Sequence, residues 1–146
     1  MPRHFTLAEA ESLLPDVERA IREALETKGI HEEATALLEA TVQRVEQTGG
    51  ASVDRDAFSQ LKKRRHDAET RLTALLEQIQ AFGCEVKDLD IGLIDFRSYY
   101  RGEEVYLCWK LGEEGISWWH GLQDGFRGRR KIDSEFLDNH KGDRSH

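Results

Sequence analysis

The apolar residues of this chain recur first at helical spacing and then at strand spacing, and the change falls at Gly83. Phe5-Thr6-Leu7-Ala8-Glu9 opens the first helix. Thr6 is a capping residue, Glu9 stands three positions on as in a capping box, and Phe5 precedes them as a hydrophobic staple. Pro15 has no N–H and crowds the turn before it, so it belongs in a first turn. The pattern therefore predicts a short helix over 7–13, a bend, and a new helix beginning at Pro15. From there, steps of three and four run through Leu14, Val17, Ile21, Ala24, Lys28, His31, Thr35, Leu38, Val42 and Val45. One bent helix over 15–47 accommodates that run in preference to two helices broken near Gly29, a weak point costing about 1 kcal/mol relative to alanine.

Thr48-Gly49-Gly50-Ala51-Ser52-Val53 reads as a turn, with Ser52 or Asp54 available to cap the helix that follows. That helix carries Phe58, Leu61, Arg65, Ala68, Leu72, Leu75, Ile79 and Phe82 on one seam, only Arg65 being polar, and Gly83 ends it. Folding the two helices back sets Val45 near Phe58, Val42 near Leu61, Leu38 near Arg65 and Ile21 near Phe82. The apolar ends of both seams then coincide, which predicts an antiparallel hairpin. Leu13, Ala20, Leu25, Leu37 and Leu76 widen the apolar stripe beyond what two helices can bury.

After Gly83 three runs read as strands: 91–96, 105–111 and 116–119, separated by turns at Arg101-Gly102 and Gly112–Gly115. In the simplest hairpin register Leu107, Trp109, Leu111, Ile116 and Trp118 share one face. Tyr106, Cys108 and Trp119 share the other, beside Ile91 and Leu93. Both faces are then apolar and both need cover. The fold class is α+β, a single domain. A helical hairpin region over 1–83, with its short leading helix, precedes a small three-stranded antiparallel sheet over 84–132. The segment 133–146 reads as a polar tail that frays, with Phe136 and Leu137 able to pin one turn.

Composition changes this picture in two ways. Charged residues make up 34% of the 146, more than an average globular chain carries and suited to long solvated helices, while six Phe, three Tyr and three Trp exclude a disordered acidic chain. A net charge of -7 argues against broad attraction to nucleic acid or to an anionic membrane. No apolar run approaches a membrane span and no segment resembles a signal peptide, so a cytoplasmic protein is expected. In that setting Cys84 and Cys108 are expected as reduced thiols.

Several stretches together resemble a known family. They are Phe5–Ala10 with Leu13-Leu14-Pro15; Gly83; Val86–Leu89; Gly92–Phe96; Val105–Glu113; Trp119-His120; and Gly125–Arg129. The chain is similar over nearly its whole length to the uncharacterised prokaryotic proteins grouped as domain of unknown function 2203. The resemblance implies the same hairpin-plus-sheet layout and carries no activity, cofactor or catalytic residue with it.

The residues that suggest chemistry gather in the sheet and just after it: Asp95, Cys108, Glu113, His120 and Asp124, with Trp119 beside them. Carboxylate, thiolate and imidazole are the donors of zinc and similar transition metals. No close-spaced ligand pair accompanies them, and in the register above Asp95 and Cys108 share a face while His120 points to the other. The plain alternative is a buried thiol, a strand-end carboxylate bonded to backbone, and a histidine packed on Trp119. His66 and Glu69 stand at i, i+3 as in half of a bundle di-metal motif, but His31-Glu32-Glu33 supplies no second half, so a solvated face is expected. Lys28, His31, Thr35 and Arg65 read as polar seam residues that fix register. Arg127, Arg129, Arg130 and Lys131 form a basic island that could meet phosphates or RNA, or pair with the chain's own carboxylates. There is no GxSxG and no glycine-rich phosphate loop, and Cys108 falls mid-strand on an apolar face.

Taken together, these features predict a non-enzymatic scaffold or adaptor that forms a homodimer through its hairpins, without membrane or cofactor. The alternative is a small metal- or ligand-binding enzyme with its site beside the sheet. A weak nucleic-acid accessory role ranks third.

Overall fold

The computed structural model of the chain describes residues 2–49 and 54–143. In order it contains α1 (Leu7–Thr48), α2 (Arg55–Ala81), β1 (Glu85–Asp88), β2 (Leu93–Tyr100), β3 (Glu103–Lys110), β4 (Trp118–Gly121), a 3-10 turn (Phe126–Gly128), β5 (Arg130–Lys131), α3 (Ser134–Asn139) and β6 (His140–Lys141). The chain divides into two compact units, Met1–Ile21 with Glu77–His146, and Arg22–Leu76. No described helix is long and apolar enough to cross a membrane.

The capping box forms: Glu9 N–H donates to Thr6 Oγ1 at 3.2 Å, and Thr6 N–H to Glu9 Oε1 at 2.8 Å. The two helices expected on either side of Pro15 are one, and α1 runs 42 residues through it. Pro15 and Glu11 are exposed, so the missing rung between them faces water, which can satisfy the Glu11 carbonyl. On the opposite side Ala10, Leu14, Val17 and Ile21 are all buried. That unbroken stripe favours continuing the helix through the proline. α1 also continues through Gly29, whose surroundings are open.

Within Arg22–Leu76 the two helices form the expected antiparallel hairpin, cross-linked by Arg71 to Glu23 at 2.8 Å and His31 to Glu69 at 2.9 Å. On α2 the seam is buried or half-buried throughout this unit, from Phe58 to Leu75. On α1 Ala24, Ala34 and Leu38 are buried, but Val42 is 45% exposed. Two helices enclose a single line of side chains, and a residue beside that line stays in water. Asp54 caps α2, accepting from Ala57 N–H at 3.1 Å. Gly49 has φ +70, and the rest of the expected turn, 50–53, lies outside the described residues.

The sheet has six antiparallel strands where three were expected, in the order β1-β2-β3-β4-β5 with β6 also on β2. The extra strands are pieces of two to four residues, too short to show alternation. The outer edge of β2 is closed in three places. β1 pairs at Leu93–Asp95, β6 pairs at Tyr99 and Tyr100, and between them Phe5 N–H donates to the Arg97 carbonyl at 2.7 Å. Arg101 (φ 53) and Gly102 (φ 83) make the tight β2–β3 turn, as the sequence indicates.

The β3–β4 register differs from the expected one by a residue. Cys108 lies opposite Trp118 and Leu107 opposite Trp119, because the connection is not a tight turn at Gly112–Gly115 but a wider loop built on Glu113. The Glu113 carboxylate accepts from Lys110 N–H at 2.7 Å, and its carbonyl from Trp109 Nε1–H at 3.0 Å. A slip of one residue exchanges the two faces of a strand. Ile94, Phe96, Leu107, Trp109 and Trp119 therefore share one face, and Asp95, Tyr106, Cys108, Trp118 and His120 the other.

The cover that both faces of the sheet need comes at least in part from the chain itself. On the first face Phe5 meets Phe96 edge-on at 5.3 Å, and Phe136 stacks on Trp119 at 5.0 Å and Tyr100 at 5.1 Å. On the second, Lys87 and Arg97 lie over the Tyr106 ring, and Arg129 over Trp118 and Phe126. The segment after 132 is likewise not a fraying tail through 143. Asp133 caps α3, Phe136 is buried, Leu7 N–H donates to His140 Nε2 at 3.0 Å, and His4 N–H to Asp143 Oδ2 at 2.9 Å.

Candidate metal centre

Strand pairing sets Asp95 of β2 directly beside Cys108 of β3, with Tyr106 and His120 the next pair along. On this face His120 reaches across β3 and bonds Asp95, its Nε2 lying 3.2 and 3.1 Å from the two carboxylate oxygens. One ligand atom from each of Asp95, Cys108 and His120 falls within 4.8 Å of the others, and all three residues are buried. The sequence pattern places Asp95 and Cys108 on one face, as found, and His120 on the other, which the register shift corrects.

The ring of His120 is held at both ends. Nδ1 lies 2.8 Å from the Gly121 carbonyl while Nε2 faces Asp95. Both neighbours are acceptors, an arrangement that favours a ring carrying hydrogen on both nitrogens. Burial pushes the His120 pKa down, but the bonds to Asp95 and to the Gly121 carbonyl and the charges of Asp95 and Asp124 outweigh it and hold it above the ordinary value. The Cys108 pKa is raised as well, which for a thiol favours the neutral form. Burial, and then the Asp95 charge, push it up to about 12 against a smaller opposing pull from Arg129. Cys84, which donates to the Ile79 carbonyl, is pushed up to about 12 by burial as well. Neither thiol is a nucleophile at neutral pH.

The other sequence candidates take different places. Glu113 shapes the β3–β4 loop and pairs with Arg129 at 2.7 Å. Asp124 accepts from Gly121 N–H at 3.1 Å, fixing the turn that carries the Gly121 carbonyl, and its charge reaches His120. Trp119 lies on the opposite face under Phe136, so His120 does not pack on it. The basic island is divided: Arg129 is 12% exposed and paired with Glu113, Arg130 lies over Trp119, and Arg127 and Lys131 are exposed. His66 is exposed and Glu69 pairs with His31, so no bundle-type motif forms there.

The sequence reading missed a polar network that continues from the centre along the same face. The Tyr106 ring lies 5.4 Å from His120, its hydroxyl bonds Glu85 and Lys87, and Arg97 joins Glu85 to Glu104, which bonds His4 at 2.7 Å. Glu85 lies below the usual carboxylate range although part-burial pushes it up, because Lys87, Tyr106 and Arg97 surround it. The alternating Arg97 and Tyr99, opposite Glu104 and Tyr106, carry the signal for this face.

A family model described as uncharacterized conserved protein (DUF2203) matches residues 3–132. No curated protein and no solved structure matches the chain.

Proposed function

We propose that this chain, which belongs to the DUF2203 family of uncharacterised conserved proteins, binds a transition metal such as zinc through Asp95, Cys108 and His120. The observation that carries the reading is the convergence of three different donor types, from three adjacent strands, on one buried point. A histidine that ligates a metal through one nitrogen commonly donates from the other to a carbonyl or carboxylate, which fixes its orientation. The Gly121 carbonyl stands in that position for His120. To hold an ion there, His120 would offer an unprotonated Nε2 and Cys108 a thiolate, because a divalent cation reverses the local preference for the neutral thiol, so binding would release protons. With three protein donors, a fourth position would be left for water or a small ligand.

The test is metal analysis of protein purified without chelator, followed by competition titration of zinc against a chromophoric chelator. One equivalent is expected for the wild type and none for Cys108→Ser. Cobalt(II) should give a thiolate charge-transfer band that the same variant lacks. Wild-type protein that neither retains metal nor competes with the chelator would falsify the reading.

A further inference from the structure

The hairpin of Arg22–Leu76 carries a surface that the sheet unit does not explain. One side of it forms a groove of about 450 Å3 between the helices. Leu38, Val42 and Phe58 supply its apolar part. Glu39 and Glu46 line its α1 side, and Lys62 and Arg65 its α2 side. Glu39, Val42 and Glu46 follow one another at steps of three and four, so they form one row on α1, and Lys62 and Arg65 are three apart on α2. Among the described residues none of these four charges takes part in an ion pair within 4.0 Å. The side thus has an acidic rail, an apolar floor with Val42 45% exposed, and a basic rail.

We infer that this face binds a second copy of the chain, with α1 of one hairpin over α2 of the other. This goes beyond the metal reading and does not rest on it. The charge pattern selects both the occupant and the geometry. A surface that carries its own complement is matched by itself across a two-fold axis. With the axis along the hairpin, each acidic rail faces the partner's basic rail and the apolar floors meet. With the axis across the hairpin, acid would face acid, and like charges brought together select against that arrangement. In the first arrangement Glu39 keeps its level along the hairpin, which the antiparallel fold places close to Arg65, so the opposed charges come into register. A two-helix hairpin that leaves Val42 in water and Phe58 only half-buried is thereby completed to four helices.

The experiment is light scattering with size-exclusion chromatography, and sedimentation for the dissociation constant, on full-length protein. Wild type is expected at twice 16.8 kDa. The pair K62E/R65E gives a hairpin acidic on both rails, and E39K/E46K one basic on both. Each alone should dimerise about tenfold or more weakly than wild type. Mixed in equal amounts they should form a heterodimer, because every acidic rail again meets a basic one. Val42→Glu should give monomer with unchanged circular dichroism. Wild type that stays monomeric at high concentration overturns the inference, as does a dimer that survives both charge reversals. Failure of the two variants to associate when mixed overturns the pairing of α1 with α2.

Discussion

Replacing Asp95 by asparagine removes one charge while keeping the shape, so it isolates the pairing between a buried carboxylate and His120. The two side chains are 2% and 4% exposed and lie 3.1 Å apart, so water replaces little of what is lost. Removing one partner of a buried ion pair costs about 3–5 kcal/mol. Asparagine keeps an oxygen that accepts from Nε2–H, and the ring can shed its proton, which places the expected loss near about 3 kcal/mol. The pH dependence has a definite sign. His120 has a folded pKa above its unfolded value, so its contribution is complete below about pH 6.5 and is lost as pH rises through the folded value. Asp95→Asn lacks the Asp95 share of that contribution at every pH, and keeps only what the Gly121 carbonyl and Asp124 supply. In chelator-treated protein unfolded by urea and followed by tryptophan fluorescence, the gap between wild type and variant should be widest near about pH 6 and narrow toward about pH 9. A gap under about 1 kcal/mol at the lower pH, or one that widens as pH rises, would refute the pairing as described.

Other substitutions probe the framework around the site. Gly29→Ala, at an exposed helix-interior position with nothing within 4 Å, should stabilise by about 1 kcal/mol; a destabilised variant in urea would mean that α1 is not helical there. At Gly142 a Cβ would lie 2.7 Å from the Thr6 nitrogen and 2.8 Å from Glu9 Oε1. Gly142→Ala should therefore cost about 1–3 kcal/mol, and hydrogen exchange should quicken at Leu7, whose N–H bonds His140; unchanged exchange would show that the last segment is not held there. Both thiols are buried and pushed up to about 12, so a disulfide reagent should titrate none in native metal-free protein at about pH 8 and both in urea. Rapid labelling of the folded chain would contradict that burial.

What was legible in the sequence is what depends on neighbours along the chain. Each turn of the α2 seam contributes an inward residue, so it can be followed without knowing what it meets. The Thr6–Glu9 cap joins residues three apart. Pro15 was misjudged because the rule against an interior proline counts a lost bond and ignores the side on which it is lost. The cluster of Asp95, Cys108 and His120 could not be assembled from the sequence for a similar reason. Its donors were all named, but whether His120 joins Asp95 depends on one residue of register, and Glu113 sets that register by folding back on Lys110 and Trp109. Two glycines in the loop point to a tight turn, and the carboxylate that prevents it looks like any surface glutamate. β6 and the packing of α3 depend on partners distant along the chain: β6 pairs with Tyr99 and Tyr100, His140 accepts from Leu7, and Phe136 stacks on Tyr100 and Trp119, and no local pattern records those.

The union of His4 with Asp143 bears on how the protein is made. The hairpin contacts lie close along the chain and can form while synthesis continues, whereas the sheet unit must wait for its final strand. During that interval the rim of β2 at Tyr99 and Tyr100 offers unpaired amides to any passing strand. A nonsense codon near position 132 would make the exposure permanent. Its product should accumulate as aggregates rather than as a shortened soluble protein.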